Sequence, residues 1–153
     1  MNESGLQVRR ATDADRQPLA RLFDGYRVFY GQPSDPERAL RFIQERFRQG
    51  DSVILLACID AAAVGFVQLY PMHSSVLTDR VWVLNDLFVD PPSRALGAGR
   101  ALLEAARAFG EADGALRLQL ETRRTNTVAQ ALYTELGWQV EDETVWYQLP
   151  LRG

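Results

Sequence analysis

A glycine-containing loop is the part of the sequence best suited to bind an anion. It reads Arg94-Ala95-Leu96-Gly97-Ala98-Gly99 and lies between an apolar strand-like run and a helical pattern. The first N–H groups of a helix have no intrahelical partners and carry partial positive charge, and glycines let a ligand approach them closely. The loop therefore predicts a diphosphate site, with Arg94 beside it. The alternative is that the glycines only ease the start of the helix and that the loop binds no ligand.

Two other phosphate-binding loops do not match this segment. A P-loop requires a lysine after its second glycine, and the chain contains no lysine. The dinucleotide fingerprint requires Gly or Ala at its sixth position, whereas the run that begins at Gly97 has Leu102 there. Nucleotide hydrolysis and dinucleotide binding are therefore disfavoured.

Asp86 and its neighbour Asn85 interrupt the otherwise apolar strand predicted at residues 80–89. A buried carboxylate is costly unless it is paired or functional. Adjacent strand residues point to opposite faces, so only one of the two should face a cleft unless a bulge alters the alternation. Asp86 is a candidate general base or anchor for a substrate ammonium group. Its structural alternative is to cap a loop or pair with an arginine.

The chain has few other residues that could act as nucleophiles or metal ligands, and their small number excludes several mechanisms. One His, one Cys and no Lys cannot form a zinc cluster, a disulfide frame, a Cys–His pair or a Schiff base. Cys58 lies in an apolar run and is interpreted as a buried hydrophobe, and His73 as a loop histidine. The net charge of −3 lacks the basic excess of a nucleic-acid module.

The length of 153 residues and 46% hydrophobic content predict a single globular domain, residues 1–153. No apolar run reaches the roughly 18 residues of a membrane span, and the N-terminus lacks a signal-peptide pattern, so we expect a cytoplasmic protein without a membrane partner. Hydrophobic periodicity predicts the order β-α-α-β-β-β-α-β-α-β, which describes one mixed α/β sheet with packed helices. The predicted strands are 6–10, 53–59, 63–70, 80–89, 116–121 and 144–149. The predicted helices are 12–29, 36–50, one from 98 that ends near 110–114, and 128–136.

Three motifs in order resemble the GNAT N-acetyltransferase family. The loop from Arg94 to Gly99 matches its Arg/Gln-x-x-Gly-x-Gly/Ala signature. Residues 85–91, Asn-Asp-Leu-Phe-Val-Asp-Pro, look like the strand that enters this loop, and residues 126–138 look like the second cofactor motif. The resemblance covers about residues 6–149 and is strongest from 81 to 138. It implies a mixed, mostly antiparallel sheet whose central parallel strand pair splays to admit acetyl-CoA, with helices on both faces.

The resemblance also assigns cofactor contacts. Backbone groups of Leu87 and Val89 would pair with the pantetheine arm, and the backbone N–H of Phe88 would polarise the thioester carbonyl. The diphosphate would lie on Arg94, Ala95, Leu96, Gly97, Ala98, Gly99 and Arg100. Asn126 would hydrogen-bond the pantetheine, and Ala129 and Tyr133 would flank the thiol end. Many relatives are homodimers, which makes a homodimer the expected assembly.

The chemistry implied is direct attack of an amine on acetyl-CoA. Tyr133 would protonate the leaving thiolate, and its structural alternative is an aromatic residue on a helix face. Asp86 would be the base or the ammonium anchor, and a water relay from Glu121 or a tyrosine is the other route for the proton. The polyamine-type members of the family have Glu-Asp where this chain has Asn85-Asp86, so one candidate base is missing.

An acceptor pocket is expected where the first two helices meet. Tyr26, Phe29, Tyr30 and Gln32 cluster there with Asp35 nearby, and Met72-His73 occupies a second loop that faces the same end in the family fold. Aromatic rings and acids suit a cationic amine, although they suit a core equally well. The prediction is an N-acetyltransferase for a small cationic amine of polyamine or amino-sugar type. The alternatives are a protein N-terminal or lysine acetyltransferase and a non-catalytic acyl-CoA-binding module.

Overall fold

The computed structural model describes residues 5–152 and places five strands in one sheet, in the order β1-β2-β3-β4-β5. Successive strands pair antiparallel from β1 to β4, whereas β4 and β5 run parallel. This mixed sheet with one parallel pair confirms the predicted fold class. The strands are β1 (Leu6–Arg10), β2 (Val53–Ile59), β3 (Ala62–Ser74), β4 (Asp79–Val89) and β5 (Arg117–Gln119).

Four α-helices follow the predicted order, and sequence signals mark their ends. At the start of the second helix, the Asp35 side chain accepts a hydrogen bond from the N–H of Arg38 at 3.1 Å. Pro36 occupies the first helical position, where its missing N–H costs nothing, and Gly50 ends the helix with φ of 62°. No helix in residues 5–152 is long and apolar enough to cross a bilayer. The helices are α1 (Arg16–Phe29), α2 (Pro36–Gln49), α3 (Ala98–Asp113) and α4 (Thr127–Glu135).

The two faces of the sheet are covered by different helices. Phe66 of β3 and Phe88 of β4 pack against α1 and α2 in one core cluster, which also contains Leu19, Leu22, Phe23, Ala39, Ile43, Ile54 and Leu56. The neighbouring residue Gly65 points the other way, because a Cβ on it would lie 3.4 Å from Leu102 of α3. Helices on both faces are therefore confirmed.

The buried face of α3 differs from the predicted one. The periodicity predicted Ala98, Ala101, Leu102, Ala105 and Phe109, whereas the buried residues are Ala98, Leu102, Leu103, Ala106 and Gly110. Phe109 instead packs edge-on against Trp82 of β4, with ring centroids 5.0 Å apart. The apolar stripe is wider than the contact surface, so the sequence does not determine the rotation of the helix about its own axis.

Three predicted elements are wrong in extent or existence. The loop predicted around Met72-His73 belongs to β3, which continues to Ser74 because β4 begins at Asp79 and supplies a partner for each residue. The strand predicted at 116–121 is shorter, and residues 144–149, which the structure describes, form no strand. These residues are exposed, and alternating apolar residues form a strand only where a neighbour offers an edge.

The chain divides into two compact units between Glu121 and Thr122. The first unit contains the whole sheet and α1 to α3, and the second contains α4. The prediction of a single domain stays a prediction.

Candidate active site

A β-bulge in β4 sets the direction of Asp86. Gln68 pairs with Asp86 and Leu69 with Leu84, so Asn85 is the extra residue of the bulge. Asp86 therefore shares a face with Phe88, which belongs to the core beneath α1 and α2. The bulge accounts for two successive polar residues in an apolar strand, because only Asp86 enters the face covered by these helices.

Asp86 is 4% exposed and surrounded by hydrogen-bond donors. The amide of Gln68 donates from Nε2 to Oδ2 at 2.5 Å, and the amide of Asn85 donates from Nδ2 to Oδ1 at 2.9 Å. Burial raises the pKa of Asp86, while hydrogen bonds from Gln68, Asn85 and Tyr26 act in the opposite direction. The net effect is a carboxyl group that binds a proton more readily than an exposed aspartate.

Two tyrosines flank this carboxylate. Burial and the charge of Asp86 raise the pKa of Tyr26, whose hydroxyl also lies 3.3 Å from the carbonyl oxygen of Asn85. Burial, followed by the charge of Asp86, raises the pKa of Tyr70 to about 12, although a hydrogen bond to Arg46 opposes the shift. Both phenols therefore stay protonated near neutral pH and can donate hydrogen bonds within this site.

The predicted acceptor residues divide into two groups. Tyr26 and Tyr30 lie together with ring centroids 5.0 Å apart, and Tyr26 touches both Asp86 and Phe88. Phe29 lies 5.2 Å from Tyr30 and is 59% exposed, against 40% for Tyr30, so these two rings extend the aromatic surface towards solvent. The structure thus brings three of the four predicted aromatic and amide residues into one continuous group with Asp86.

Gln32 and Asp35 serve the loop between α1 and α2. The backbone N–H of Gln32 donates to the carbonyl oxygen of Arg27 at 3.0 Å, and Asp35 caps α2. The carboxylate of Asp24 accepts hydrogen bonds from the Ser34 hydroxyl at 2.7 Å and from the Asp35 N–H at 2.8 Å. The position of this loop is therefore fixed by its own hydrogen bonds.

The edge of β4 that faces β5 is open over its second half. The pairing between the two strands ends at Val83 and Gln119, while β4 continues to Val89. The N–H of Asp90 donates to Val64 of β3, so strand alternation directs the backbone groups of Phe88 towards β3 and those of Leu87 and Val89 away from it. This geometry favours Leu87 and Val89 over Phe88 as outward-facing backbone partners.

The glycine loop has the geometry of an anion-binding helix start. A short 3₁₀ turn at Pro91–Ser93 leads into it, and Ala95 has φ of 69°, an uncommon value for a residue with a side chain. Gly97 has φ of 86° at the N-cap of α3, where no side chain caps the helix. Gly99 has an ordinary φ, and a Cβ there would meet no described atom within 4 Å. Packing against the described residues therefore does not require a glycine at position 99.

Arg94 lies against aromatic rings at the start of this loop. Its guanidinium carbon is 5.5 Å from the ring centre of Phe29 and 5.7 Å from that of Phe88, and its Nε donates to the carbonyl oxygen of Val89 at 3.0 Å. The residue predicted to bind a diphosphate thus also connects the end of β4 to the end of α1.

Three further predicted cofactor residues, Asn126, Ala129 and Tyr133, belong to the second unit. Asn126 is the N-cap of α4, because its Oδ1 accepts from the N–H of Ala129 at 3.4 Å. The ring of Tyr133 lies 6.0 Å from that of Trp138. Within this unit, Asn126 has a structural role as a helix cap, and the functional roles of Asn126, Ala129 and Tyr133 stay predictions.

The hydrogen-bonded residues around Asp86 that come from β3 and from the position before β2 were not predicted. Gln68 donates to the carboxylate, Ser52 hydrogen-bonds Gln68, and Tyr70 faces the same site. A signal was present for Gln68, because it is a polar residue inside the apolar run 63–70, as Asp86 is inside 80–89. Recognising their partnership requires the pairing register of β3 and β4.

Comparison with known proteins agrees with this geometry. The acetyltransferase (GNAT) family profile matches residues 19–138. The chain belongs to this family. It is accordingly an acyl-CoA-dependent acetyltransferase, as the sequence motifs predicted.

Named relatives cover nearly the whole chain. An uncharacterised N-acetyltransferase of Bacillus subtilis, YhfO, is 41% identical over 94% of this chain and 97% of its own length. The crystal structure of a probable acetyltransferase is 37% identical, with a TM-score of 0.90 over 96% of this chain and 99% of that one. An aminoglycoside N(6')-acetyltransferase type 1 of Stenotrophomonas maltophilia is 28% identical over 99% of this chain and 97% of its own length.

Replacing Gly99 tests the anion-binding role of the loop. Gly99→Val should weaken CoA binding by about tenfold or more in calorimetry, because the side chain would hold the ligand away from the helix N–H groups. The melting temperature should not fall, since a Cβ meets no described neighbour. Gly99→Ala is the matched control and should retain affinity, as the family signature accepts alanine. Equal affinity of the valine variant and the unmodified protein would exclude this loop as the binding surface.

Proposed function

We propose that this protein transfers an acetyl group from acetyl-CoA to a small, cationic primary amine. The observation that carries the proposal is Asp86, the one buried carboxylate among residues 5–152, with the rings of Tyr26 and Tyr30 beside it. A carboxylate and aromatic faces together stabilise an ammonium group better than a neutral or anionic acceptor. The resemblance to an aminoglycoside N(6')-acetyltransferase supports an amine acceptor.

The open half of the β4 edge and the loop before α3 suit acetyl-CoA. Outward-facing backbone groups of Leu87 and Val89 would pair with its pantetheine arm, and the N–H groups at the start of α3 would hold its diphosphate. Gly99 leaves space for close approach. When bound, acetyl-CoA supplies an activated thioester, which explains why a chain with one His and one Cys needs no nucleophile of its own.

Side-chain and backbone groups of the protein then carry out three steps. Asp86 accepts the proton that the ammonium group must lose before its nitrogen can bond to the acyl carbon, and later passes it to solvent. The outward N–H of Leu87 donates a hydrogen bond to the acyl oxygen. Tyr133 gives its phenolic proton to the sulfur as the C–S bond breaks. The nitrogen, now bonded to the acyl carbon, releases its second proton to solvent, and Tyr133 regains one from solvent. The products are an N-acetylated amine and free CoA.

Turnover on a panel of acceptors tests the function. The protein should release free thiol from acetyl-CoA with diamines, polyamines or aminoglycosides and show little release with N-terminal or lysine-containing peptides. The same panel repeated with N-acetylated amines is the matched control and should give no release. Turnover on peptides alone would replace the small-amine proposal with protein acetylation, and CoA binding without any turnover would favour a binding module.

Asp86→Asn tests the base. A base must be ionised to accept a proton, so kcat/KM of the unmodified enzyme should fall as the pH drops through the pKa of Asp86, which burial raises. In Asp86→Asn this acidic limb should disappear and kcat/KM at neutral pH should fall by about a hundredfold. An unchanged profile would show that Asp86 is structural. Asp79→Asn, which changes an exposed aspartate at the other end of β4, is the control.

Tyr133→Phe tests the acid. The variant lacks the phenolic proton and keeps the ring, so CoA affinity should be unchanged while kcat falls by about a hundredfold. Tyr147→Phe provides the control, because Tyr147 is exposed in the same unit. An unaltered kcat in Tyr133→Phe would remove this residue from the mechanism.

A further inference from the structure

A chain of hydrogen bonds runs beneath the candidate acceptor site. The hydroxyl of Ser52 lies 2.8 Å from Oε1 of Gln68, and Nε2 of Gln68 lies 2.5 Å from Oδ2 of Asp86. Gln68 is 0% exposed, and it and Asp86 are the buried polar or charged residues in the described part of the chain. Two polar groups placed together in an otherwise apolar core indicate a specific role for their contact.

The chemistry of these groups fixes the direction of the chain. An amide oxygen only accepts hydrogen bonds, so the Ser52 hydroxyl must donate to Oε1 of Gln68. The amide nitrogen is then turned towards Asp86 and donates to the carboxylate. The reverse orientation would place Oε1 against an oxygen of Asp86 without a hydrogen between them, and the two would repel each other. An ionised Asp86 therefore requires this orientation of the amide, in which Ser52 holds the opposite end of Gln68.

We propose that Gln68, hydrogen-bonded to Ser52, is a positioning residue that keeps the buried Asp86 ionised and fixes the direction of its carboxylate. The inference rests on the proposed function, in which Asp86 must carry a charge to bind an ammonium group and accept its proton. Gln68 holds Oδ2 and Asn85 holds Oδ1, so the plane of the carboxylate is set from two sides. Asn85 comes from the bulge, whereas Gln68 comes from the neighbouring strand.

The charged and titratable groups placed around Asp86 come from α1, α2 and β3. From α1, Tyr26 contacts the carboxylate, and from β3, Tyr70 faces it. Arg46 of α2 hydrogen-bonds Tyr70, and its Nε lies 3.4 Å from Oδ1 of Asp51. Its positive charge is therefore paired with Asp51. Asp86 thus has no ion-pair partner among the described salt bridges, and neutral donors must stabilise its charge. Gln68 is the donor among them that is itself fully buried.

Gln68→Met tests the proposal, since it keeps a similar volume and removes the donor. The acidic limb of kcat/KM should move to higher pH by about one pH unit or more, because the carboxylate loses a hydrogen bond that favours its charged form. The carbon-13 signal of the Asp86 carboxyl, assigned by its absence in Asp86→Asn, should titrate at higher pH by the same amount. Gln7→Met, at an exposed position of β1, should change neither.

Two further variants separate the possible causes. Ser52→Ala should shift both readouts in the same direction by a smaller amount, and it serves where Gln68→Met does not fold. In the Asp86→Asn background, Gln68→Met should cause no further loss of kcat/KM, because Gln68 acts through Asp86.

The two readouts distinguish this inference from the proposed function. A carboxyl titration that moves while the rate profile does not would support the role of Gln68 and contradict Asp86 as the base. A folded Gln68→Met, or Ser52→Ala in its place, in which the carboxyl titration does not move would overturn the inference, whatever the enzyme acetylates.

Discussion

The burial of one carboxylate within an apolar sheet face is the constraint on which the site depends. An isolated charge in such a place costs several kcal/mol, so it persists only where donors replace water. Asp86 obtains these donors from three elements: Asn85 from its own strand, Gln68 from β3 and Tyr26 from α1. The packing of α1 on the sheet and the pairing of β3 with β4 are therefore both required for the charge to be tolerated.

The bulge at Asn85 lets Leu84 and Asp86 of the same strand face opposite sides of the sheet. A regular strand that directed Asp86 into the α1 and α2 face would place residue 84 there as well, and residue 85 on the opposite face. With the bulge, Leu84 stays opposite Leu69, and Asp86 and Phe88 face the helices together. One inserted residue thus separates the apolar segment 81–83 of β4, paired on both edges, from a second half that carries a carboxylate on one face and has no β5 partner.

The sequence was sufficient for the order of elements from β1 to α4 and for the position of the glycine loop, because periodicity, caps and glycines are local signals. It identified Asp86 from a local contradiction, a charge within an apolar run. It did not identify Gln68 as its partner or Ser52 as the partner of Gln68, because these contacts depend on which residues of β3 lie opposite β4 and opposite β2. The strand predicted at 144–149 failed for the same reason, since apolar alternation carries no information about the edge that would pair with it.

Arg94 contacts residues proposed for acceptor binding and residues proposed for acetyl-CoA binding. Its guanidinium rests on Phe29 and Phe88 while its Nε donates to Val89, so one side chain contacts the aromatic end of α1 and the open edge of β4. Each cation–π contact contributes about 0.5–1 kcal/mol at an exposed site, which is enough to bias a side chain without fixing it. The Val89 carbonyl has a second lone pair, so Arg94 need not leave for a pantetheine amide to bind there. The arginine of the family signature therefore connects the aromatic residues of the proposed acceptor site to the backbone edge proposed for acetyl-CoA.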